Sequence, residues 1–351
     1  MSQTLHRDSD LVGLVQDYFS KTFTPAVVAD IEHDGPSARL WRSVDELGLV
    51  LVGVDEDSGG SGGSLLDLLA VMEGAGRYAV ALPLAETSLA AWLLARAGAE
   101  LPAGPLSVVP DSGELTLAGG RLTGTAAHVP WVRGATRIVA VLPDESARTQ
   151  VVVIYPERVE VTAGADLAGM PCDTIGAVEV EVDCYPAEIG FDDFLLRGAL
   201  LRSAQMAGAI SATFELTKTY VGQRVQFGKP IGTFQAVQTH LVELAEAAAL
   251  SALSVDRAGA AALRGSASFE IVATKSLVNR HAGLVTRAAH QAHGAIGMTQ
   301  EYSLQLFSRR LHTWRGEFGD ETTFNLRLGA ALSRAGGLVS TVTSAGSTIG
   351  V

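Results

Sequence analysis

The chain has 351 residues, of which 47% are hydrophobic and 18% are charged, and its formal net charge is −12 at pH 7. This length suffices for a large core divided among two or three structural units. The acidic balance argues against nucleic acid as a partner, because phosphate binding depends on basic patches, and no apolar run approaches the ~18 to 20 residues that span a bilayer.

The first ten residues and the cysteines bear on location and redox chemistry. Residues 1–10 include His6, Arg7 and two aspartates in place of the apolar core of a signal peptide, so we expect a cytoplasmic protein. Cys172 and Cys184 are the two cysteines of the sequence, too few for a disulfide framework or a thiolate zinc site. We therefore expect structural thiols and no metal site.

The first part of the chain, from about residue 11 to residue 98, repeats its apolar residues at helical intervals, as in Leu11, Val15 and Tyr18. This period predicts a helical unit. The glycine-rich stretch 57–63 suggests a phosphate-binding loop, but it lacks the preceding strand and the following Lys-Ser/Thr of such loops. A turn before a helix is the favoured interpretation.

The middle part, from about residue 106 to residue 189, has a period of two. Valine and glutamate alternate over residues 178–182, which predicts a strand with one buried face. The runs 137–142 and 151–155 are β-branched, nearly continuous and each followed by proline, as expected of strands buried on both faces. The pattern indicates a small antiparallel β unit.

Beyond Phe191 the helical period returns, with Val237, Leu241 and Leu244 on one face of a helix. The order of helices, strands and helices predicts a mainly helical α+β protein. We predict three domains, an N-terminal helical domain (1–103), a middle β domain (104–190) and a C-terminal helical domain (191–351).

Two long motifs in the C-terminal part resemble signatures of one family. Residues 224–238, RVQFGKPIGTFQAVQ, are similar to the R-x-x-F-G-K-x-I-x-x-F-Q-x-x-Q signature of acyl-CoA dehydrogenases. Residues 291–302, QAHGAIGMTQEY, resemble the Q-x-H-G-G-x-G-x-T-x-E-Y stretch of the same family. Weaker similarity at residues 47–49 and 73–77 extends the resemblance over nearly the whole chain.

The resemblance implies a fold and a reaction. The implied fold has an N-terminal helical domain, a β-barrel-like middle domain and a C-terminal four-helix bundle through which subunits pair. The implied cofactor is FAD, the substrate is an acyl-CoA thioester, and an electron-transfer flavoprotein or similar acceptor receives the electrons. In α,β-desaturation a carboxylate removes the α-proton while the flavin accepts the β-hydride.

The resemblance also assigns contacts with FAD, which in this family is bound largely by the partner subunit at these motifs. Arg224 is expected at the pyrophosphate, because a guanidinium can donate two hydrogen bonds to it. Small residues in the second motif would let backbone amides approach the adenylate side. The expected FAD contacts are Arg224, Gln226, Phe227, Phe234, Gln235, Gln291, Gly294 and Ala295. His293 is interpreted as a packing or hydrogen-bonding residue.

Trp131 is a further expected FAD contact, because it lies near the position of a family residue that stacks on the flavin ring. A core or interface aromatic is an equally open interpretation. The Thr-Glu-Pro loop that contacts the flavin in the family is missing from this sequence. The β domain therefore departs from the family pattern at the flavin.

The catalytic base of the family lies in a Tyr-Glu-Gly-Thr-Ser stretch. Counting forward from Gln291 without gaps leads to Phe318, whereas counting back from residues 327–328 leads to Asp320. Asp320 is the predicted base, and the neighbouring carboxylates are its competitors, Glu317 and Glu321. Three solvated acids before a helix are the alternative.

A second family position for the base, used by isovaleryl-type members, corresponds to Gly198, which has no carboxylate. The first hypothesis is therefore an active FAD-dependent acyl-CoA dehydrogenase of the short bacterial type. The second is a companion subunit of an α2β2 acyl-CoA dehydrogenase that lends FAD contacts to a full-length partner, as in bacterial steroid breakdown. A scaffold without activity ranks last, and steroid-derived, branched and short acyl groups all stay open.

Overall fold

The computed structural model describes residues 7–35, 37–265 and 267–334. Its α-helices are α1 (Ser9–Thr22), α2 (Pro25–Asp34), α3 (Ala38–Asp45), α4 (Leu65–Arg77), α5 (Leu84–Arg96), α6 (Phe191–Gln223), α7 (Gln235–Arg264), α8 (Ser268–His293), α9 (Leu304–Trp314) and α10 (Glu321–Arg334). Its strands are β1 (Leu106–Val108), β2 (Thr116–Ala118), β3 (Arg121–Pro130), β4 (Arg137–Pro143), β5 (Thr149–Ile154), β6 (Glu160–Thr162), β7 (Cys172–Glu181), β8 (Asp183–Pro186), β9 (Val225–Gln226) and β10 (Lys229–Pro230). The mainly helical α+β prediction is confirmed.

The middle strands form two four-stranded sheets, in the orders β1-β4-β5-β8 and β2-β3-β7-β6. The first contains one parallel pair, β1 with β4, and its other pairs are antiparallel. Strand β4 lies between two neighbours and is buried from Ile138 to Leu142, as its β-branched sequence predicts. The described strands form open sheets, so the barrel-like closure expected for this region is not present in them.

The alternation predicted over residues 178–182 is broken by a bulge. Ala177 pairs with Gly124 and Val180 with Leu122, so β7 has one residue more than β3 between these pairs. Glu179 lies in the bulge with φ 53°, and Val178 is 83% exposed. An inserted residue changes which side chains face the core, which explains why a valine predicted to be buried faces solvent.

The glycine-rich stretch 57–63 is a turn before α4, as interpreted from the sequence. The amide of Gly60 donates to the Asp55 carbonyl, and the amide of Gly62 donates to the Val54 carbonyl. A Cβ at Gly60 would overlap the carbonyl of Val54, so the close backbone approach requires glycine here. These amides are engaged within the turn instead of being presented to a phosphate.

The chain divides into two compact units by contact. Of the described residues, those in the ranges 7–27, 69–80 and 199–334 form the first unit, and those in the ranges 28–68 and 81–198 form the second. The second contains the two sheets around a core that includes Leu122, Ile138 and Ile175. The first contains the long helices, and the three-domain division predicted from the sequence stays a prediction.

The core of the first unit depends on small residues where helices meet. Alanines on α6, α7 and α8 pack around Met206, Leu244 and Val285. A Cβ at Gly208 of α6 would overlap the backbone carbonyl of Glu73 in α4. The two helices therefore touch through their backbones, which only a residue without a side chain permits.

Gly208→Ala is expected to lower the free energy of unfolding by about 2 kcal/mol or more, because the added methyl group meets backbone that cannot rotate away. Gly222→Ala on the same helix is the matched control, since its Cβ would meet no atom within 4 Å. That control is expected to be neutral or stabilising by up to ~1 kcal/mol. Urea denaturation of both variants checks this, and equal effects would contradict the close helix contact.

Candidate functional site

The first motif forms a hairpin directly after α6. Strands β9 and β10 pair antiparallel, which leaves Phe227 and Gly228 as a two-residue turn with φ values of 53° and 78°. Two positive φ values are typical of a type I′ turn. Arg224 donates its amide to the Tyr220 carbonyl, and its own carbonyl accepts from the Ile231 amide, both at 2.8 Å. The backbone of Arg224 is thus fixed while the residue is exposed.

The turn of the hairpin presents an aromatic ring to solvent. Phe227 is 89% exposed, and its ring contacts that of Phe234 edge to face at 6.0 Å. The ammonium of Lys229 lies 4.5 Å from the centre of the Phe234 ring. Exposed aromatic surface next to cations and amides is characteristic of a contact surface for a ligand or subunit. Gln226 and Gln235 are exposed on the same segment.

The second motif lies at the end of α8. Gly294 has φ 63° and begins a short 3-10 turn, Gly294–Met298. A Cβ on Gly294 would meet no atom within 4 Å, so its backbone is open on that side. Gln291 and Ala295 are exposed beside it. The motif therefore offers a side-chain amide and open backbone, the features expected where an adenylate approaches.

His293 joins the two motifs. Its ring stacks on Tyr220 with the ring centres 4.5 Å apart. Its Nδ1 lies 2.8 Å from the Ala289 carbonyl and its Nε2 lies 3.2 Å from the Tyr302 hydroxyl. Because a carbonyl only accepts, Nδ1 carries the proton and Nε2 accepts from Tyr302. Burial lowers the pKa of His293, which keeps the ring neutral at pH 7.

The stack links the backbone of Arg224 to that of Gly294. Tyr220 lies in the last turn of α6, and its carbonyl holds the amide of Arg224. Its hydroxyl also donates to the carbonyl of His293 at 3.4 Å, and Gly294 is the next residue. The packing role predicted for His293 agrees with these contacts. The FAD assignments themselves stay predictions.

Asp320, the predicted base, caps α10. Its Oδ1 accepts from the amides of Thr322 and Thr323 at 2.8 and 3.0 Å, and its Oδ2 accepts from the Thr323 hydroxyl at 2.7 Å. These hydrogen bonds, with the Thr323 hydroxyl first among them, lower the pKa of Asp320. A carboxylate with a lowered pKa is a weaker proton acceptor. Its assignment as base stays a prediction.

The neighbouring carboxylates are also engaged. Glu317 lies 2.6 Å from the guanidinium of the buried Arg202. Glu321 lies 3.4 Å from Arg280 and 3.5 Å from Arg315. All three carboxylates considered as the base therefore have structural partners.

Phe318, which the ungapped count from Gln291 places at the family's base position, is a phenylalanine with a strained backbone. Phe318 is 5% exposed and has φ 51°, a backbone conformation that is uncommon for a bulky residue. Such conformations persist where the surrounding structure enforces them and are common at functional sites. Gly198, the other family position, is buried in α6. Neither position carries a carboxylate.

Helix α8 fixes the turn that carries Phe318. The fully buried ammonium of Lys275 donates to Asn279 Oδ1 at 2.7 Å and to the Trp314 carbonyl at 2.9 Å. Asn279 in turn donates to the Gly319 carbonyl at 3.2 Å. Lys275 and Asn279 thereby hold the turn at both ends. Sequence reasoning missed them, although a lysine four residues after Ile271 on an apolar helix face was a signal of a buried charge.

Trp131 lies at the end of β3 in the second unit. It is 8% exposed, has φ 59° and donates its amide to the Pro171 carbonyl at 2.9 Å. Its role at the flavin stays a prediction. Within the described ranges, His, Cys, Asp and Glu side chains form no group suited to hold a metal ion. None of the described helices is both long enough and apolar enough to cross a bilayer.

Comparison with known families gives two matches. Residues 7–101 match the acyl-CoA dehydrogenase N-terminal domain, and residues 192–322 match the acyl-CoA dehydrogenase C-terminal domain. Together they cover more than half of the chain and define a flavin-dependent dehydrogenase. The chain belongs to the acyl-CoA dehydrogenase family, oxidoreductases that act on CH–CH groups, and its cofactor is FAD.

Individual relatives of similar sequence are also acyl-CoA dehydrogenases. The acyl-CoA dehydrogenase IpdE2 of Mycolicibacterium smegmatis is 29% identical over 296 residues, which are 82% of this chain and 86% of IpdE2. FadE34 of Mycobacterium tuberculosis is 31% identical over 334 residues, 89% of this chain but 45% of FadE34. This chain thus spans about half the length of FadE34.

Solved structures share the fold. The steroid ACAD Tcur3481-Tcur3483, in a variant form, gives a TM-score of 0.87 at 22% identity, over 93% of this chain and 98% of that chain. The ChsE4-ChsE5 complex from Mycobacterium tuberculosis gives 0.85 at 22% identity, over 94% and 99%. At these identities the likeness shows the fold alone.

Replacing Asp320 tests its capping role. Asp320→Ala is expected to lower the free energy of unfolding by about 1 kcal/mol, within the ~0.5 to 2 kcal/mol range of N-cap losses. Asp320→Asn is the matched control, because asparagine caps as well as aspartate. Chemical denaturation distinguishes the two, and an Asn variant as unstable as the Ala variant would contradict the cap.

Replacing Lys275 with methionine tests whether the buried ammonium makes the stability of the protein depend on pH. Burial lowers the pKa of Lys275 to about 7, so between pH 7 and the ordinary lysine pKa of ~10.4 the unfolded state binds more protons than the folded state. The stability of the wild type relative to Lys275→Met should therefore rise with pH in this window, by up to about 1.4 kcal/mol per pH unit.

The exposed Lys218 of α6 gives the control for this measurement. Lys218→Met and the wild type should show parallel stability curves over the same pH range. A constant difference between the wild type and Lys275→Met from pH 7 to pH 10 would show that Lys275 does not titrate abnormally.

Proposed function

We propose that this chain works in the FAD-dependent α,β-desaturation of an acyl-CoA thioester as the companion subunit of a heteromeric α2β2 acyl-CoA dehydrogenase. The observation that carries the proposal is a contrast within the first unit. The surface suited to FAD is exposed and open, whereas the three carboxylates near the base position hold Arg202, Arg280, Arg315 and the start of α10. The proton acceptor would then come from the partner chain.

The residues at the hairpin and at the end of α8 fit FAD. A pyrophosphate needs a cation with fixed donors, and the Arg224 guanidinium makes no ion pair or hydrogen bond within the described part of the chain. Gln226 and Gln291 add amides, and Gly294 leaves room for close approach. When bound, the flavin supplies the acceptor for the β-hydride.

The relatives support a division of labour between chains. One similar structure is that of a complex of two proteins, ChsE4 and ChsE5. FadE34, which this chain matches over 45% of its length, has room in one polypeptide for a second portion of similar size. The partner of this chain would be a full-length acyl-CoA dehydrogenase, with an electron-transfer flavoprotein or similar acceptor receiving the electrons.

A steroid-derived acyl-CoA is the substrate class that we infer. One protein of similar structure, Tcur3481-Tcur3483, is a steroid ACAD, and this chain shares its fold. Branched and short-chain acyl-CoA esters are the alternatives that a substrate panel distinguishes. Pocket differences of one methylene change selectivity by only ~1 to 3 kcal/mol, so the panel has to span ring-containing and linear acyl groups.

A self-sufficient homo-oligomer is the second candidate, and one observation favours it. Asp320 is exposed at the turn beside Phe318, so its carboxylate is accessible despite its capping bonds. In that case Asp320→Asn would abolish flavin reduction by acyl-CoA while keeping the helix cap. The same variant would leave the heteromeric enzyme active.

Expression of the chain alone and with the product of a neighbouring dehydrogenase gene tests the proposal. We expect a colourless chain alone and a yellow complex with the partner, which an acyl-CoA ester bleaches because the flavin is reduced. Absorbance at the flavin band and mass in solution are the measurements. A yellow homo-oligomer that acyl-CoA bleaches without any partner would overturn the companion-subunit proposal.

Arg224→Gln tests the FAD contact. Loss of a charge-assisted contact with a phosphate is expected to weaken FAD binding about ten- to hundredfold, without loss of the helical circular dichroism signal. Arg264→Gln, at the exposed end of α7, is the control and should bind FAD normally. Titration of the apo-complex with FAD measures both, and equal affinities would remove Arg224 from the site.

A further inference from the structure

Two arginines and a tryptophan lie together on α5 and the start of α6, in the second unit. Trp92 and Arg96 are one helical turn apart on α5. The guanidinium carbon of Arg197 lies 4.8 Å from the centre of the Trp92 ring, a distance that gives a cation–π contact. We call Arg96 and Arg197 the arginine pair.

The arginine pair has no counter-charge in the described part of the chain. Neither guanidinium makes an ion pair or a hydrogen bond with a described residue, and Arg197 Nε is buried without a partner. Asp193, one turn before Arg197, accepts instead from the Gly190 amide at 2.9 Å. The nearest acid on the same helix is therefore engaged elsewhere.

The arginine pair also differs from three other arginines of this acidic chain. Arg202, Arg280 and Arg315 each lie within ion-pair distance of a glutamate, as expected where carboxylates outnumber cations. Burial, followed by the charge of Arg96, lowers the pKa of Arg197 to about 10, so it stays protonated at pH 7. A half-buried guanidinium without a carboxylate partner can donate to an acceptor from outside the chain.

We propose that Arg96 and Arg197, with Trp92 holding the Arg197 guanidinium in place, form a binding site for an oxyanion. A carboxylate or a phosphate matches the planar set of donors that a guanidinium offers. On the basis of the proposed function, the oxyanion belongs to the acyl-CoA ligand. Its source is a second carboxylate on the acyl group or the 3′-phosphate of the CoA moiety.

Free anions test the site independently of the acyl-CoA reaction. Adipate and inorganic phosphate, each compared with chloride at equal ionic strength, should raise the melting temperature of the wild-type protein in its native assembly. The rise should be smaller in Arg197→Gln and in Arg96→Gln. Since Arg96 is exposed, its replacement cannot disturb the core. Arg148→Gln, which removes an exposed arginine paired with Asp144, should respond like the wild type.

Binding of four CoA ligands then distinguishes the two possible sources of the oxyanion. If the acyl group carries the oxyanion, Arg197→Gln should weaken binding of adipoyl-CoA about ten- to hundredfold and leave hexanoyl-CoA unchanged. If CoA carries it, the variant should weaken CoA by this factor and leave dephospho-CoA, which lacks the 3′-phosphate, unchanged.

The outcomes separate the site from the proposed function. Equal anion responses in the wild type and in the Arg197→Gln, Arg96→Gln and Arg148→Gln variants would overturn the oxyanion site. An anion response that only the arginine-pair variants lose supports the site even if no acyl-CoA binds, in which case the proposed function fails and the site stands. An anion response without any effect of Arg197→Gln on the four CoA ligands would overturn the assignment to acyl-CoA.

Discussion

The stack of His293 on Tyr220 is the contact on which the placement of the two motifs depends. It joins the end of α6 to the end of α8, and each of these ends leads directly into a motif that is exposed to solvent. A protonated imidazole would lose the hydrogen bond that Nε2 accepts from Tyr302. Burial keeps the ring neutral, so the same desolvation that makes the ring a poor base makes it a dependable structural link.

Helix α8 extends this constraint to the other end of the first unit. Lys275 and Asn279 lie one turn apart and hold the carbonyls of Trp314 and Gly319. A buried ammonium is unfavourable unless its hydrogen bonds are made, and these two partners satisfy most of its donors. The turn that carries Phe318 is therefore fixed by buried polar contacts that tolerate little displacement, which explains how a bulky residue is kept in a left-handed backbone conformation.

Local motifs were readable from the sequence because their chemistry is local. Arg224 and Gly294 lie in two continuous motifs that resemble signatures of one family, and this resemblance can be recognised without knowledge of the fold. The role of Glu317 was not readable, since this carboxylate meets Arg202, more than a hundred residues away in the sequence. The bulge at Glu179 was equally hidden, because it depends on the register with β3. Both features depend on residues that are far apart in the sequence, which local sequence patterns do not reveal.

The arginines of this chain differ in whether a carboxylate of the chain pairs with them. In a chain with a net charge of −12, carboxylates outnumber cationic side chains, so an arginine has many possible partners. Arg202 and Arg315 do so and hold the Phe318 turn. Arg224 and Arg197 have no such carboxylate among the residues that the structure describes. These two guanidinium groups are therefore available to an anion from outside the chain. Arg202 and Arg315 thus stabilise the fold, and Arg197 and Arg224 are the arginines for which we propose anions from outside the chain.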